Sequence, residues 1–146
     1  MIRAQCIVRR GRQVLMVKHR MNGEEWWCLP GGRVEALDTA GDAALRELRE
    51  ECHVEGKIVR QTSQAMESAD VQSVTFLVEI GDQEPRMGAD PELDHTEQIL
   101  VDLRWMTLAE IPERDRAYLW AAGLLNVAGF VEEVSGWGDA LSYPTG

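Results

Sequence analysis

Ile2, Ala4, Cys6 and Val8 alternate with Arg3, Gln5 and Arg9, which is the period of a half-buried strand. Arg10-Gly11-Arg12 is a turn signal, and an apolar run, Val14 to Val17, follows it. The first two elements are therefore expected to pair as a hairpin. Residues 26–29 read as a short strand stopped by Pro30-Gly31-Gly32. Over residues 39–52 the period changes. Leu45, Leu48 and Cys52 fall on one side of a helix and define its buried face. Thr39, with Asp42 three residues on, resembles a capping box with Asp in place of the usual Glu. Strands are predicted over residues 54–60, 71–80 and 99–106. In the second of these, Val74, Phe76, Val78 and Ile80 oppose Thr75 and Glu79. Residues 108–111 predict a helical turn and residues 114–125 a full helix. Strands and helices mix without strict alternation, so the fold class is α+β or mixed α/β.

Two segments fall outside this pattern. Residues 81–96 are polar and carry Pro85, Gly88 and Pro91. This is a long loop, and long loops inside compact domains are often functional. Residues 136–146 are rich in Gly, Ser and Pro and read as a loose tail. The most apolar stretch, residues 117–131, is interrupted by Asn126 and is short for a membrane span of about 20 residues. It reads as a buried helix plus a turn, or as an interface element.

The chain of 146 residues fits one domain, 1–146, with one core. Its formal net charge of −10 argues against a nucleic-acid backbone as partner, because binding phosphates needs clustered Lys and Arg. A small phosphorylated substrate remains compatible, provided a cation sits between acidic protein and acidic ligand. Three cysteines, Cys6, Cys28 and Cys52, give an odd number without CxxC spacing. A disulfide scaffold or structural zinc site is not expected, and free thiols suit a reducing cytosol. The N-terminal residues hold no signal peptide pattern. The expectation is a cytoplasmic protein that engages neither nucleic acid nor membrane.

The informative segment runs from Gly31 and Gly32 through Glu35 and Asp38 to Arg46-Glu47-Leu48-Arg49-Glu50-Glu51. With Glu47 at zero on a helical wheel, Glu51 lies at about +40° and Glu50 at about −60°. Three like charges in so narrow an arc repel one another unless something cationic sits among them. Hard divalent cations take oxygen ligands, and Mg²⁺ combines a few carboxylates with several waters. The glycines let backbone approach a bound ion or ligand, and a glycine carbonyl adds another possible oxygen. Arg46, one turn before Glu50, is placed to pair with it or to hold a neighbouring carboxylate. A charge-laced solvated helix explains the string RELREE alone, but not the string together with its glycines and spacing.

These residues resemble the Nudix hydrolase family. Its box is Gly, five residues, Glu, seven residues, Arg-Glu, an aliphatic, any residue, Glu-Glu, any residue, Gly and an aliphatic. Gly32, Arg46, Glu47, Leu48, Glu50, Glu51 and Val54 match it in register, over residues 32–54. Trp27-Cys28-Leu29-Pro30-Gly31-Gly32, Glu35, and Arg104-Trp105-Met106 with Leu108 and Glu110 resemble its surroundings. Two positions depart. Asp38 stands where the family has Glu, and His53 where it has Gly at the helix end. The resemblance implies a mixed sheet sandwiched between helices, and hydrolysis of a nucleoside diphosphate linked to another group, with Mg²⁺ or Mn²⁺. Glu47 and Glu51 would be metal ligands beside the Gly31 carbonyl, Glu50 a further ligand or base, and Arg46 an orienting residue. A nucleoside triphosphate or nucleotide sugar is the expected substrate. A catalytically weak nucleotide-binding or regulatory module is the alternative. The resemblance also makes a homodimer one expected arrangement, with the apolar C-terminal helix as interface.

Outside the box, Glu97 is a candidate base or extra ligand, with Glu92, Asp94 and His95 competing for the role. Trp26 and Trp27 point to opposite faces of a strand, so one can stack a nucleobase while the other enters the core. Family position favours Trp27 for the site, with Gly32 and Arg33 beside it as substrate contacts. Arg3 and Arg60 are further candidates for phosphate.

Overall fold

The computed structural model describes residues 1–88, 99–135 and 137. Its elements are β1 (Ile2–Ile7), β2 (Arg9–Arg10), β3 (Gln13–Met21), β4 (Glu24–Cys28), β5 (Gly31–Arg33), α1 (Ala40–Cys52), β6 (Lys57–Met66), β7 (Gln72–Glu79), β8 (Leu100–Thr107), α2 (Glu113–Ala121) and α3 (Phe130–Ser135). Two 3-10 turns, Leu108–Glu110 and Leu124–Asn126, flank α2. One sheet has the order β5-β1-β7-β6 and is mixed, since β1 and β7 run parallel. In the other, β2 and β4 pair with β3, and β8 also pairs with β3.

The expected hairpin between the first two apolar elements is only partly realised. β2 pairs with β3 across the Gly11 turn, but β1 leaves for the other sheet and lies between β5 and β7. The reason is burial on both faces. Ala4 and Cys6 are fully buried on one side and Ile7 on the other. Gln5, which alternation assigns to solvent, is buried too, and its Nε2 donates to Oγ1 of the fully buried Thr75 at 2.9 Å. A satisfied polar pair of this kind sits in a core at little cost, and it allows β1 a central place.

Two cores follow from this arrangement. On one side Ala4, Cys6, Leu15 and Val17 meet Ala43, Ala44, Leu48 and Cys52 of α1 and Val74, Phe76 and Val78 of β7. On the other, Ile7, Val14, Met16 and Leu29 meet Leu108, Leu119, Leu124, Val127 and Phe130. The sheets thus lie between helices, as the sequence led us to expect. Each fully buried aliphatic side chain contributes roughly 1.5–3 kcal/mol. In the apolar stretch 117–131, Leu119, Ala122, Leu124, Val127 and Phe130 are core while Tyr118 and Val131 are exposed, and among the described residues no helix is long and apolar enough to cross a membrane.

Several boundaries move. β4 starts two residues before Trp26, because Glu24 and Glu25 pair with Met21 and Arg20. β6 starts at Lys57 rather than 54 and runs to Met66. Its mostly exposed, polar pattern is that of an edge strand. The helix expected over 114–125 ends at Ala121. Gly123 then takes φ +86, and a Cβ there would lie 2.6 Å from the Thr62 carbonyl oxygen. Leu45, expected on the buried face of α1, is half-buried, with Ala43 and Ala44 beneath it instead.

The ends of α1 follow the sequence closely. Thr39 Oγ1 accepts from the Asp42 N–H at 3.1 Å. His53 takes the left-handed conformation, φ 56 and ψ 36, with its N–H donating to the Arg49 carbonyl. A β-carbon is strained in that region by about 1 kcal/mol, and the exposed His53 side chain shows no compensating hydrogen bond among the described residues. His53→Gly is therefore expected to raise the melting temperature by about 3 °C for a chain of this size. Thermal unfolding of the two proteins checks this. A lower melting temperature would show that the imidazole contributes packing or a contact that outweighs the strain.

Candidate active site

The acidic face of α1 lies against β5. The Pro30-Gly31-Gly32 segment follows the end of β4 at Cys28, as expected, and its glycines also begin a short strand antiparallel to β1. Neither Gly31 nor Gly32 has a positive φ. They are needed for closeness. A Cβ on Gly31 would fall 2.3 Å from the Ala4 carbonyl oxygen, and one on Gly32 would fall 2.4 Å from the carboxyl carbon of Glu47. With no side chains between them, the β5 backbone and the α1 carboxylates touch. The Gly31 N–H donates to Glu51 Oε1 at 2.8 Å, and His19 Nε2 lies 3.0 Å from Glu51 Oε2.

The three glutamates are not equivalent. The side chains of Glu47 and Glu51 are only 20% and 12% exposed, whereas Glu50 is 52% exposed. Burial pushes the Glu47 carboxyl above the usual carboxylate range, and the charges of Glu51 and Glu50 push it further, against the pull of Arg46. Arg46 ties the region together. It donates to Asp38 and to the Arg33 carbonyl at 3.2 Å, and it lies 3.5 Å from Glu47 Oε1 and 3.9 Å from Glu50 Oε1. Asp38 thus reaches the arginine despite its shorter side chain. The Arg33 side chain is exposed, and its carbonyl serves Arg46.

The sequence carries no sign of His19, and it marks the loop from residue 81 only as long and polar. Burial disfavours charge on His19, but its bonds with Cys28 and Glu51 outweigh that and raise its pKa to about 9. The loop supplies the end of α1. The Arg86 N–H donates to the Cys52 carbonyl at 2.9 Å and the Gly88 N–H to the Glu51 carbonyl at 2.8 Å. A Cβ on Gly88 would lie 1.9 Å from the Glu50 carbonyl oxygen. A glycine in an otherwise polar loop was the only available signal. By contrast, burial pushes Cys6 up to about 12 and Cys52 higher still, so both are unreactive core thiols.

A cleft of about 470 Å³ adjoins this face, with Arg3, His19, Trp26, Cys28, Asp115 and Tyr118 among its lining. Trp26 and Trp27 both border it. The β3–β4 register puts Trp26 opposite His19, on the α1 side with Val17, and Trp27 opposite Lys18. Trp27 is nearly buried in the second core. Its backbone N–H donates to the buried Asp115 at 2.9 Å. Trp26 stands edge-on to His19, with ring centroids 5.9 Å apart. Arg3 is held in the cleft wall by the Leu29 carbonyl at 3.0 Å, while Arg60 is turned away toward the Asn126 carbonyl. Glu97, Glu92, Asp94 and His95 lie outside the described residues. Among the described residues no three His, Cys, Asp or Glu side chains converge as a ready-made metal cage.

A family model for the NUDIX domain matches residues 1–126. The chain belongs to the Nudix family. No curated protein matches its sequence. Among solved structures, this Nudix chain is similar to an ADP-ribose pyrophosphatase from Streptococcus suis, with a TM-score of 0.67 and 15% identity over 88% of this chain and 92% of that one. It also resembles a C. elegans Ap4A hydrolase, with a TM-score of 0.65 and 17% identity over 92% and 98%. The similarity to a NUDIX hydrolase from Nitrosomonas europaea has a TM-score of 0.61 and 22% identity over 78% of this chain, which spans 61% of that one. The Nudix domain makes this chain a member of a family of hydrolases acting on phosphorus-containing anhydrides.

Two expected outcomes follow from the geometry. Gly88→Ala forces backbone apart at the end of α1 and is expected to destabilise by about 1–3 kcal/mol, the usual range for overpacking. Denaturant unfolding measures it, and an unchanged midpoint would mean that the loop is not seated on α1. The second concerns Glu47. Its folded-state pKa is raised, so the folded protein holds the proton more tightly than the unfolded chain. The stability this gives is present at low pH and is lost as the pH rises through the folded value. In metal-free buffer at neutral pH, Glu47→Gln should therefore melt higher than the parent, with the gap closing as the pH falls into the carboxylate range. A lower melting temperature for the variant at neutral pH would refute the repulsion.

Proposed function

We propose that this Nudix protein is a metal-dependent pyrophosphohydrolase that cleaves the phosphoanhydride bond of a nucleoside diphosphate derivative, either a nucleoside triphosphate or a nucleotide sugar. The observation that carries the reading is the pair Glu47 and Glu51, seated against the β5 backbone, with Glu47 held above the usual carboxylate range by burial and by its neighbours Glu51 and Glu50 despite Arg46. The donor set is one of hard oxygens, which suits Mg²⁺ or Mn²⁺. Magnesium keeps several waters and needs only one or two carboxylates, so a closed cage is not required.

In this reading Glu47 and Glu51, with the Gly31 carbonyl, hold the ion, and Glu50 is a further ligand or a base. A bound divalent ion offsets the charge of the diphosphate oxygens and lowers the pKa of a coordinated water. Arg46 keeps Asp38, Glu47 and the Arg33 carbonyl in one arrangement. Gly32 leaves room for Glu47, and Arg33 and the cleft tryptophans Trp26 and Trp27 meet the remainder of the substrate. Glu97 remains a candidate base. The names of the similar structures, ADP-ribose pyrophosphatase, Ap4A hydrolase and UDP-X diphosphatase, describe nucleotide anhydrides and support that substrate class. Three free cysteines support a reducing, cytosolic location. The alternative of a catalytically weak module was motivated by Asp38 and His53. Both keep the local geometry, Asp38 by pairing with Arg46 and His53 by adopting the left-handed turn.

The test is a panel of nucleoside triphosphates, dinucleotides and nucleotide sugars assayed with Mg²⁺ and with Mn²⁺. Turnover is expected on at least one class. Glu51→Gln should lower it by more than the roughly 10–100-fold that loss of an outer-shell partner costs, with the fold retained. Full activity in Glu51→Gln would place the metal elsewhere, and binding without product across the panel would favour the weak module.

A further inference from the structure

The carboxylate of Glu51 is held at two points from two different strands. One is the β5 backbone N–H, at 2.8 Å from Oε1. The other is the side chain of His19 on β3, with Nε2 at 3.0 Å from Oε2. His19 is itself fixed from three directions. Its Nδ1 lies 3.6 Å from Cys28 Sγ on β4. Its ring stands edge-on to Trp26, also on β4, at 79° between planes. Finally, the pairing of β3 with β8 slips between Lys18 and His19, leaving Val101 as an extra residue on β8. Bulges of this kind increase local twist, re-aim side chains and are concentrated beside functional sites. With its side chain only 12% exposed, His19 has little freedom to leave Glu51.

We propose that His19 is a positioning residue for the hydrolytic site, holding the Oε2 side of Glu51 while the Gly31 N–H holds the Oε1 side. The proposal rests on the reading of Glu51 as a metal-binding carboxylate. A carboxylate clamped at both oxygens presents its remaining lone pairs in fixed directions, and outer-shell partners that orient a ligand typically contribute 10–100-fold in metal affinity or activity. Among the described residues Glu50 has no comparable clamp: Arg46 lies 3.9 Å away and the Glu50 side chain is half exposed. Because His19 also lines the cleft, the same side chain joins the space available to substrate with the carboxylate that meets the ion.

Two amides dissect the role. The amide nitrogen of His19→Gln reaches the position of Nε2 and can still donate to Glu51. That of His19→Asn stops near Nδ1 and cannot. Three readouts are compared with the parent: kcat and KM on whichever substrate the parent turns over, Mn²⁺ affinity by electron paramagnetic resonance without substrate, and melting temperature without metal. His19→Asn should lose about 10–100-fold in kcat or in Mn²⁺ affinity, with KM for substrate changed by less than threefold. His19→Gln should recover most of that loss. The metal-free melting temperatures of the two variants should agree, so that a merely structural role does not account for the difference. Equal losses in both variants, or parent-like kcat and Mn²⁺ affinity in His19→Asn, would overturn the positioning role while leaving the hydrolase reading intact. A parent that binds no Mn²⁺ and hydrolyses nothing would overturn both.

Discussion

The feature on which the site depends is the direct seating of the β5 backbone on the acidic face of α1. The contact is possible because residues 31 and 32 have no side chains, and it is fixed because β5 is paired to β1. β1 in turn is the strand on which α1 packs, through Ala4, Cys6, Ala44, Leu48 and Cys52. The apolar core and the polar site therefore share one spacing. A change in how Leu48 or Cys52 packs would move Glu47 and Glu51 relative to Gly31 and Gly32. Burial and the charges of Glu51 and Glu50 disfavour the ionised Glu47 despite Arg46, so this part of the arrangement works against folding at neutral pH. Perturbed carboxylates of this kind cluster at functional sites.

How much of this was legible in the sequence varies with the range of the interactions. The helix, its Thr39 cap and the relation of Glu47 to Glu51 depend on residues within a few turns of one another, and periodicity alone disclosed them. The turn at His53 was marked by the family box, which has Gly at that position. What escaped depends on register between distant strands. His19 meets Glu51 across 32 positions, and a single histidine on an ordinary strand carries no local mark of that contact. Gly88 caps α1 from a loop that composition could only describe as polar. Gln5 misled the alternation reading, because a polar residue whose partner is a buried threonine looks the same in sequence as one facing water. Trp26 and Trp27 were recognised as lying on opposite faces, but which of them faces α1 was settled only by pairing with His19 and Lys18.

The two departures from the family box illustrate how a local change is absorbed. At position 38 the acid is shorter by a methylene, yet Arg46 is a long and flexible partner and closes the gap. At position 53 a side chain occupies a backbone region that favours glycine, yet it points to solvent, so the strain stays within one residue. In both cases the tolerance lies in the neighbour: a reach of several rotatable bonds in one, open space in the other.

The turn between β6 and β7 has a different kind of importance. Its residues Glu67, Ser68 and Val71 form part of the cleft rim, while the turn itself is held by backbone bonds from Glu67 and Ser68 to the Val71 carbonyl, by the Asp70 N–H on Ser68 Oγ and by the Met1 ammonium on the Asp70 carbonyl. No core residue belongs to it. Hairpin tips of this sort accept insertions readily. Lengthening this one would build a taller wall at the mouth of the cleft without disturbing α1, β5 or the strands beneath. The length of this tip can thus change the height of the cleft rim while the carboxylate helix stays unchanged.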